Sequence, residues 1–380
     1  MKTSKKIILI FLVAIMTMSF FSGIFLPFSA EEKPFVSASS AVLIDSLDNR
    51  ILYEKDAHTK RPMASTTKIM TALIAIEKYD LKKTVAVDKK AVGIEGSSIY
   101  LYENERLTME ELVLALMLES ANDAAAAIAI EIGGSIEAFA ELMNQKAEEL
   151  GLENTSFENP HGLDGEEHYT TAYDLAVLAS YAIKNEKFKR IVSTAKALIP
   201  MKDGEGTRLL VNHNRLLRSY KGAIGVKTGF TRKSGRCLVT AAERDGVTLV
   251  AVTLNAPNDW NDHKSLLDYG FEKIERFWLV DEAGISGASP VVGGNTDFVR
   301  YRTDGEMFVD LIKGEHRIKT VIEMSRFYYA PIEEGEVLGR AVFYDGDEEI
   351  ASCEIRATHK VEARKEKFNF FEWLKSLFKV

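Results

Sequence analysis

The chain has 380 residues, 46% of them hydrophobic and 27% charged, with a formal net charge of −8. That balance excludes a disordered or fibrous protein, and so acidic a chain argues against nucleic acid as a partner. The length exceeds what one hydrophobic core usually serves, so two domains are expected, and two cysteines, Cys237 and Cys353, are too few for a disulfide scaffold.

Lys2, Lys5 and Lys6 precede an apolar run from Ile7 to Phe28. A basic head followed by an apolar stretch predicts an export signal over residues 1–30, with an uncleaved anchor as the alternative. The cut site is ambiguous, because Val36-Ser37-Ala38 fits the small-x-small rule better than the residues before Ala30.

Ser40–Asp45 and Arg50–Glu54 are apolar runs split by Asp48-Asn49 and read as a hairpin. Thr66 to Tyr79 places Ile69, Met70, Leu73, Ile74 and Ile76 at helical spacing. Ala115 to Leu150 reads as several helices broken near Ser120-Ala121-Asn122 and at Gly133-Gly134. Thr171 to Asn185 is a further helix, capped by Thr170 or Thr171. Gly222–Lys227, Cys237–Ala242 and Thr248–Leu254 then read as adjacent strands, and Asn258 to Glu275 as a helix. Strands thus flank a helical block, the pattern of an α/β or α+β layered domain over residues 38–276. From residue 277 to 360 short apolar runs alternate with Gly-Asp turn clusters, which predicts a smaller all-β domain with a spacer role.

The last stretch, 361–380, is polar and charged at first. It then places Phe370, Trp373, Leu374, Leu377 and Phe378 on one helical stripe. So short a helix cannot span a bilayer, but it can lie in the headgroup plane. The two ends together place the protein outside the cytoplasm, on the outer face of the membrane.

Three short motifs carry candidate chemistry. Ser65-Thr66-Thr67-Lys68 opens a predicted helix and sets a hydroxyl one turn from an amine. A serine needs a base before it attacks, and a lysine serves if burial or positive neighbours keep it uncharged. Ser120-Ala121-Asn122 presents a hydroxyl and an amide from a turn, able to relay a proton and hold a substrate amide. Lys227-Thr228-Gly229 ends a strand, where Lys and Thr can grip a carboxylate and Gly admits close approach. Taken singly, each motif has an ordinary structural reading.

Their order, spacing and context together resemble the serine acyl-transferases that include penicillin-binding proteins and class A β-lactamases. Pro62-Met-Ala-Ser-Thr-Thr-Lys-Ile-Met-Thr-Ala, Leu118-Glu-Ser-Ala-Asn-Asp-Ala-Ala, Asn159-Pro-His-Gly-Leu-Asp, His168-Tyr-Thr-Thr-Ala-Tyr-Asp-Leu and Gly225-Val-Lys-Thr-Gly-Phe-Thr are similar to the low-molecular-mass DD-carboxypeptidases. Within that family the chain is similar to the sporulation-associated branch. Ala121 stands where many relatives carry Gly, and Phe230 where some carry His.

The resemblance implies a penicillin-binding, β-lactamase-like fold and removal of the terminal D-alanine from peptidoglycan stem pentapeptides. Ser65 is then the nucleophile, Lys68 its base and Ser120 the proton relay. Asn122, Lys227, Thr228, Gly229 and Phe230 bind substrate, and the backbone N–H groups of Ser65 and Phe230 hold the oxyanion. β-Lactams are expected as inhibitors that acylate Ser65. A β-lactamase would add a Glu-x-x-Leu-Asn loop, which is absent from the sequence. His161 and His168 share a polar loop with Asp164, Glu166 and Glu167, but no His-Glu-x-x-His occurs. This segment reads as cleft wall, and no cofactor or metal is expected.

Overall fold

The computed structural model describes residues 33–201 and 204–365. The predicted export signal and the apolar stripe of the C-terminal tail lie outside the described residues.

The chain first forms the hairpin β1 (Ser40–Asp45) and β2 (Ile51–Lys55). A 3-10 turn, Ala64–Thr67, runs into helix α1 (Lys68–Lys78). Every residue of α1 from Lys68 to Ile76 is buried. A helix apolar on all sides suits the centre of a core. The short ribbon β3 (Thr84–Ala86) and β4 (Arg106–Thr108) precedes three helices, α2 (Met109–Leu118), α3 (Asn122–Gly133) and α4 (Ile136–Glu149). Helix α2 begins six residues earlier than the sequence reading had it. Thr108 and Glu111 form a reciprocal capping box there, a signal present in the sequence as Thr-x-x-Glu ahead of an apolar run.

Helix α5 (Ala172–Ile183) is capped by Thr171, whose hydroxyl accepts from the Asp174 N–H. Among the elements that the sequence pattern does not reveal are α6 (Glu186–Ser193) and the hairpin β5 (Lys196–Met201) with β6 (Gly206–Val211). Lysines and a proline interrupt the apolar pattern in these segments, and α6 buries only Phe188, Ile191 and Val192. After the short α7 (Leu216–Ser219) come β7 (Ala223–Thr231), β8 (Gly235–Arg244) and β9 (Val247–Leu254), then α8 (Asp259–Lys273).

The first hairpin and these three strands make one antiparallel sheet, in the order β2-β1-β9-β8-β7. Alternate residues of β1 face opposite layers. Val42 and Ile44 join the core beneath α1, while Ala41 and Leu43 join Leu266 and Leu267 of α8. Helices therefore cover both faces of the sheet, and β7 is left at an edge.

The remainder is all β. Strand β10 (Ile274–Val280) follows α8 directly and pairs with β13 (Met307–Ile312). The strands β11 (Ser286–Val292), β12 (Phe298–Thr303), β14 (Ile318–Met324), β15 (Tyr328–Tyr329), β16 (Val337–Asp345) and β17 (Glu348–Ala357) form a six-stranded sheet, in the order β14-β16-β17-β12-β11-β15. Arg276 clamps Asp310 through two 2.7 Å hydrogen bonds. Arg50 of the β1–β2 turn reaches the Asp310 carbonyl at 2.5 Å. Cys237 and Cys353 are both free thiols.

Candidate active site

Ser65 sits in the 3-10 turn, not in the first turn of an α-helix as its motif suggests. This tightens the expected pairing, because a 3-10 turn has three residues per turn and eclipses positions i and i+3. Lys68 Nζ lies 3.0 Å from Ser65 Oγ. Ala64, just before the serine, adopts φ of 47°. A left-handed conformation at a residue with a Cβ costs about 1 kcal/mol or more, so the surrounding contacts hold this turn. The Thr66 hydroxyl donates to the Met63 carbonyl at 2.6 Å and the Thr67 hydroxyl to the Ala64 carbonyl at 2.8 Å.

Lys68 is fully buried. Its amine is 2.7 Å from Asn122 Oδ1 and 2.5 Å from the His161 carbonyl oxygen, as well as 3.0 Å from Ser65 Oγ. A neutral amine has two hydrogens and one lone pair. Two acceptors, Asn122 Oδ1 and the His161 carbonyl, take the two hydrogens, and the lone pair is left for the serine hydroxyl. Burial, and then the charge of Lys227, hold the amine well below the usual lysine range.

The His161 carbonyl is delivered by a self-bonded loop. Asn159 Oδ1 accepts the Gly162 N–H at 2.7 Å, and Asn159 Nδ2 donates to the Leu163 carbonyl at 3.0 Å. Thr71 fastens the same loop to α1 by donating to the Pro160 carbonyl at 2.6 Å. His168 supports the turn that carries Ser65. Its Nδ1 accepts the Glu158 N–H at 3.0 Å, which fixes the proton on Nε2, and Nε2 lies 2.8 Å from Thr67 Oγ1. Burial is the chief cause that pushes His168 down to about 4 and His161 to about 3, so both rings are uncharged. Among the described residues, no cluster of three or more His, Cys, Asp or Glu side chains is placed to hold a metal ion.

Ser120 lies in the turn between α2 and α3 at φ of 59°. Asn122 opens α3, with its backbone N–H donating to the Ser97 carbonyl at 2.7 Å and its Nδ2 to the Glu95 carbonyl at 2.5 Å. Asp123 beside it is buried and gathers the 98–101 loop, accepting from Ser98 Oγ at 2.6 Å and the Leu101 N–H at 3.0 Å.

On the opposite wall, β7 runs on through Lys227-Thr228-Gly229 to Thr231, four residues past the end that the sequence reading gave it. A Cβ on Gly229 would fall 3.0 Å from the Ser65 nitrogen and 3.2 Å from the Met63 carbonyl oxygen. The glycine therefore lets the strand and the Ser65 turn touch. Lys227 is buried, its ammonium donates to the Thr228 carbonyl at 2.9 Å, and burial pushes it down to about 7.

Ser65, Ser120, Thr228, Gly229 and Phe230 line one open cleft of about 350 Å³. Lys68, Asn122 and Lys227 do not line it. They stand just behind its wall. The cleft also takes in His213, Arg215, Arg236, Asp259 and Trp260, which the sequence reading passed over. Arg236 is the cross-strand partner of Phe230 and shares its face of the sheet. Its guanidinium meets Asp259 at 3.0 Å, and that of Arg215 lies 5.8 Å from the Trp260 ring. The whole arrangement offers an activatable hydroxyl, an uncharged amine and an edge strand, with cations at one end for an anionic group.

A family profile described as D-alanyl-D-alanine carboxypeptidase matches residues 28–258. The D-alanyl-D-alanine carboxypeptidase DacF of Bacillus subtilis (strain 168) is 34% identical over 348 residues, 89% of this chain and 88% of the relative. Penicillin binding protein 5 from Haemophilus influenzae is a solved structure with a TM-score of 0.69 at 27% identity, covering 87% of this chain and 99% of its own. The PBP3 peptidoglycan synthesis regulatory factor from Streptococcus pneumoniae gives a TM-score of 0.72 at 26% identity, covering 87% and 100%.

Proposed function

Because the chain belongs to the D-alanyl-D-alanine carboxypeptidase family, we propose how its cleft residues divide the work of removing the terminal D-alanine from peptidoglycan stem pentapeptides. Ser65 Oγ attacks the carbonyl carbon between the last two D-alanines, and Lys68 Nζ accepts its proton. The observation that carries this reading is the buried Lys68 amine, with both hydrogens occupied by Asn122 Oδ1 and the His161 carbonyl and Ser65 Oγ 3.0 Å away.

The backbone N–H groups of Ser65 and Phe230 receive the oxyanion. Collapse of the tetrahedral species breaks the C–N bond, and Ser120 relays the proton held on Lys68 to the departing nitrogen of D-alanine, which restores the neutral amine. Asn122 holds Lys68 on one side and, through the second hydrogen of Nδ2, the substrate amide on the other. Thr228 grips the terminal carboxylate, with the Lys227 charge behind it and Arg236 at the cleft mouth. Phe230 borders the substrate, and Gly229 keeps its strand within reach of the nucleophile. Water then cleaves the ester, releasing a tetrapeptide stem and restoring Ser65. A β-lactam, offered the same groups, acylates Ser65 and stays.

We further place the protein on the outer side of the cytoplasmic membrane. The support is the basic head and apolar run at residues 2–28, and the Phe370, Trp373, Leu374, Leu377 and Phe378 stripe near the C-terminus. No helix among the described residues is long and apolar enough to cross a bilayer, and the stripe suits a helix lying in the headgroup plane.

D-Alanine release from diacetyl-L-lysyl-D-alanyl-D-alanine tests the reaction and the nucleophile together. The parent protein should release it, and Ser65→Ala should slow release by about 10³-fold or more. Release at the parental rate from Ser65→Ala would overturn the assignment.

A further inference from the structure

Alternation along β11 sends Ser289 and Val291 into the core of the C-terminal sheet and turns Pro290 and Val292 outward. The outward positions are apolar, and so are their neighbours. Pro290 is the register partner of Phe298 on β12, and Val292 that of Tyr329 on β15. The Tyr329 ring meets Phe327 edge to face, with centroids 5.4 Å apart. Phe298 is 57% exposed, Val292 50%, Tyr329 69% and Phe327 45%. Four large apolar side chains thus stand side by side in water across three neighbouring strands. A contiguous patch of this kind marks a contact surface.

The end of the described chain lies beside the same patch. The Arg364 N–H donates to the carbonyl of Gly293, the residue after Val292, at 2.7 Å, and the Asn295 N–H donates to the Glu362 carbonyl at 2.8 Å. Phe370, the first residue of the apolar stripe, follows six residues later. At 3.3–3.6 Å per residue it cannot lie farther than about 22 Å from Arg364, however the chain runs. A membrane that takes up the apolar stripe of the tail must therefore come close to this end of the sheet.

We propose that Phe298, Val292, Tyr329 and Phe327 form a second lipid-contacting surface, which enters the headgroup region of the bilayer together with the C-terminal tail. This rests on the reading of the tail as membrane-associating. Phe and Tyr suit that depth, since an aromatic ring gains by leaving water and a phenol retains a polar end. Two contacts at one end of the molecule would fix its tilt on the membrane as well as its distance from it.

Vesicles of phosphatidylethanolamine and phosphatidylglycerol, mixed with the protein lacking its first 30 residues, provide the test. Three proteins are compared by co-sedimentation: the parent, Phe327→Ser/Tyr329→Ser, and Trp373→Ser/Leu374→Ser. The patch variant should bind about tenfold more weakly than the parent, with its melting temperature and D-alanine release from a soluble peptide unchanged. Parental binding by the patch variant, alongside weakened binding by the tail variant, would overturn the patch and leave the tail reading standing. No binding by the parent would overturn both. In a Phe327→Trp protein, bromine-labelled lipid should quench the added fluorescence. An absence of added quenching, as expected where the tail folds back over the patch, would also overturn the proposal.

Discussion

Gly162 lies so close to Ala64 that a Cβ at residue 162 would fall 2.0 Å from the Ala64 carbonyl oxygen. The loop that carries the His161 carbonyl to Lys68 is thereby seated on the turn that carries Ser65. Gly162→Ala should separate the two, destabilising the fold by about 3 kcal/mol or more and slowing acylation by a β-lactam. Gly151→Ala is the control. Gly151 shares the positive φ, at 70°, but has open space around it, so only about 1 kcal/mol is expected. Equal melting temperatures for the two variants would contradict the close seating.

The two buried lysines should shape the pH profile from opposite sides. In its proposed role as base Lys68 works only when uncharged, so kcat/KM should fall on the acid side as that amine gains a proton. In its proposed role beside the substrate carboxylate Lys227 helps only when charged, and burial pushes its pKa down to about 7. Since kcat/KM reports the free enzyme, it should also fall above about pH 7, through KM more than through kcat. A profile flat from pH 7 to 9 would remove Lys227 from carboxylate binding.

Stability should decline in mild acid. His168 is pushed down to about 4, and His161 and His263 to about 3, each chiefly by burial. An unfolded histidine titrates near 6.5, so the unfolded chain binds more protons as pH drops. The stabilisation is present above pH 6.5 and is lost as pH falls toward about 4, at up to about 1.4 kcal/mol per pH unit for each ring. Urea unfolding at several pH values should show this slope, and His168→Gln should reduce it by about one proton. A slope unchanged in that variant would contradict the buried, uncharged state of His168.

Arg236 should affect binding more than turnover. Its side chain shares a face of the sheet with Phe230 and is held toward the cleft by Asp259. Arg236→Ala should raise KM for the peptide about tenfold and leave kcat within a few-fold. A fall in kcat at constant KM would place Arg236 elsewhere in the reaction.

Much of the fold was legible because it rests on local pattern. The Ser40–Asp45 hairpin, the apolar periodicity of α1 and the three strands β7 to β9 all follow from spacing and turn residues. The Asp45 carboxyl, pushed up to about 6 chiefly by burial and further by Asp310 of β13, was not legible, because Asp310 lies far along the chain. The site divides in the same way. Ser65, Lys68, Ser120 and Lys227 stand out as letters in motifs, but the His161 acceptor is a backbone carbonyl and has no letter. The Thr67–His168 contact joins residues 101 positions apart. Nothing in the sequence marks Arg215 or Arg236, which reach the cleft from the start of α7 and from β8. The capping box of Thr108 and Glu111 shows the reverse: a local signal that was present and passed over.

The central claim is that the uncharged Lys68 amine activates Ser65. Intact-mass measurement of benzylpenicillin acylation tests it most directly, with Lys68→Met as the variant, since Met fills the same buried space without a base. The parent should gain one penicilloyl group per chain, on the peptide containing Ser65. Lys68→Met, folded by its melting curve, should acylate about 10³-fold more slowly or not at all. A folded Lys68→Met that acylates at the parental rate, or an adduct on a peptide without Ser65, would contradict the account.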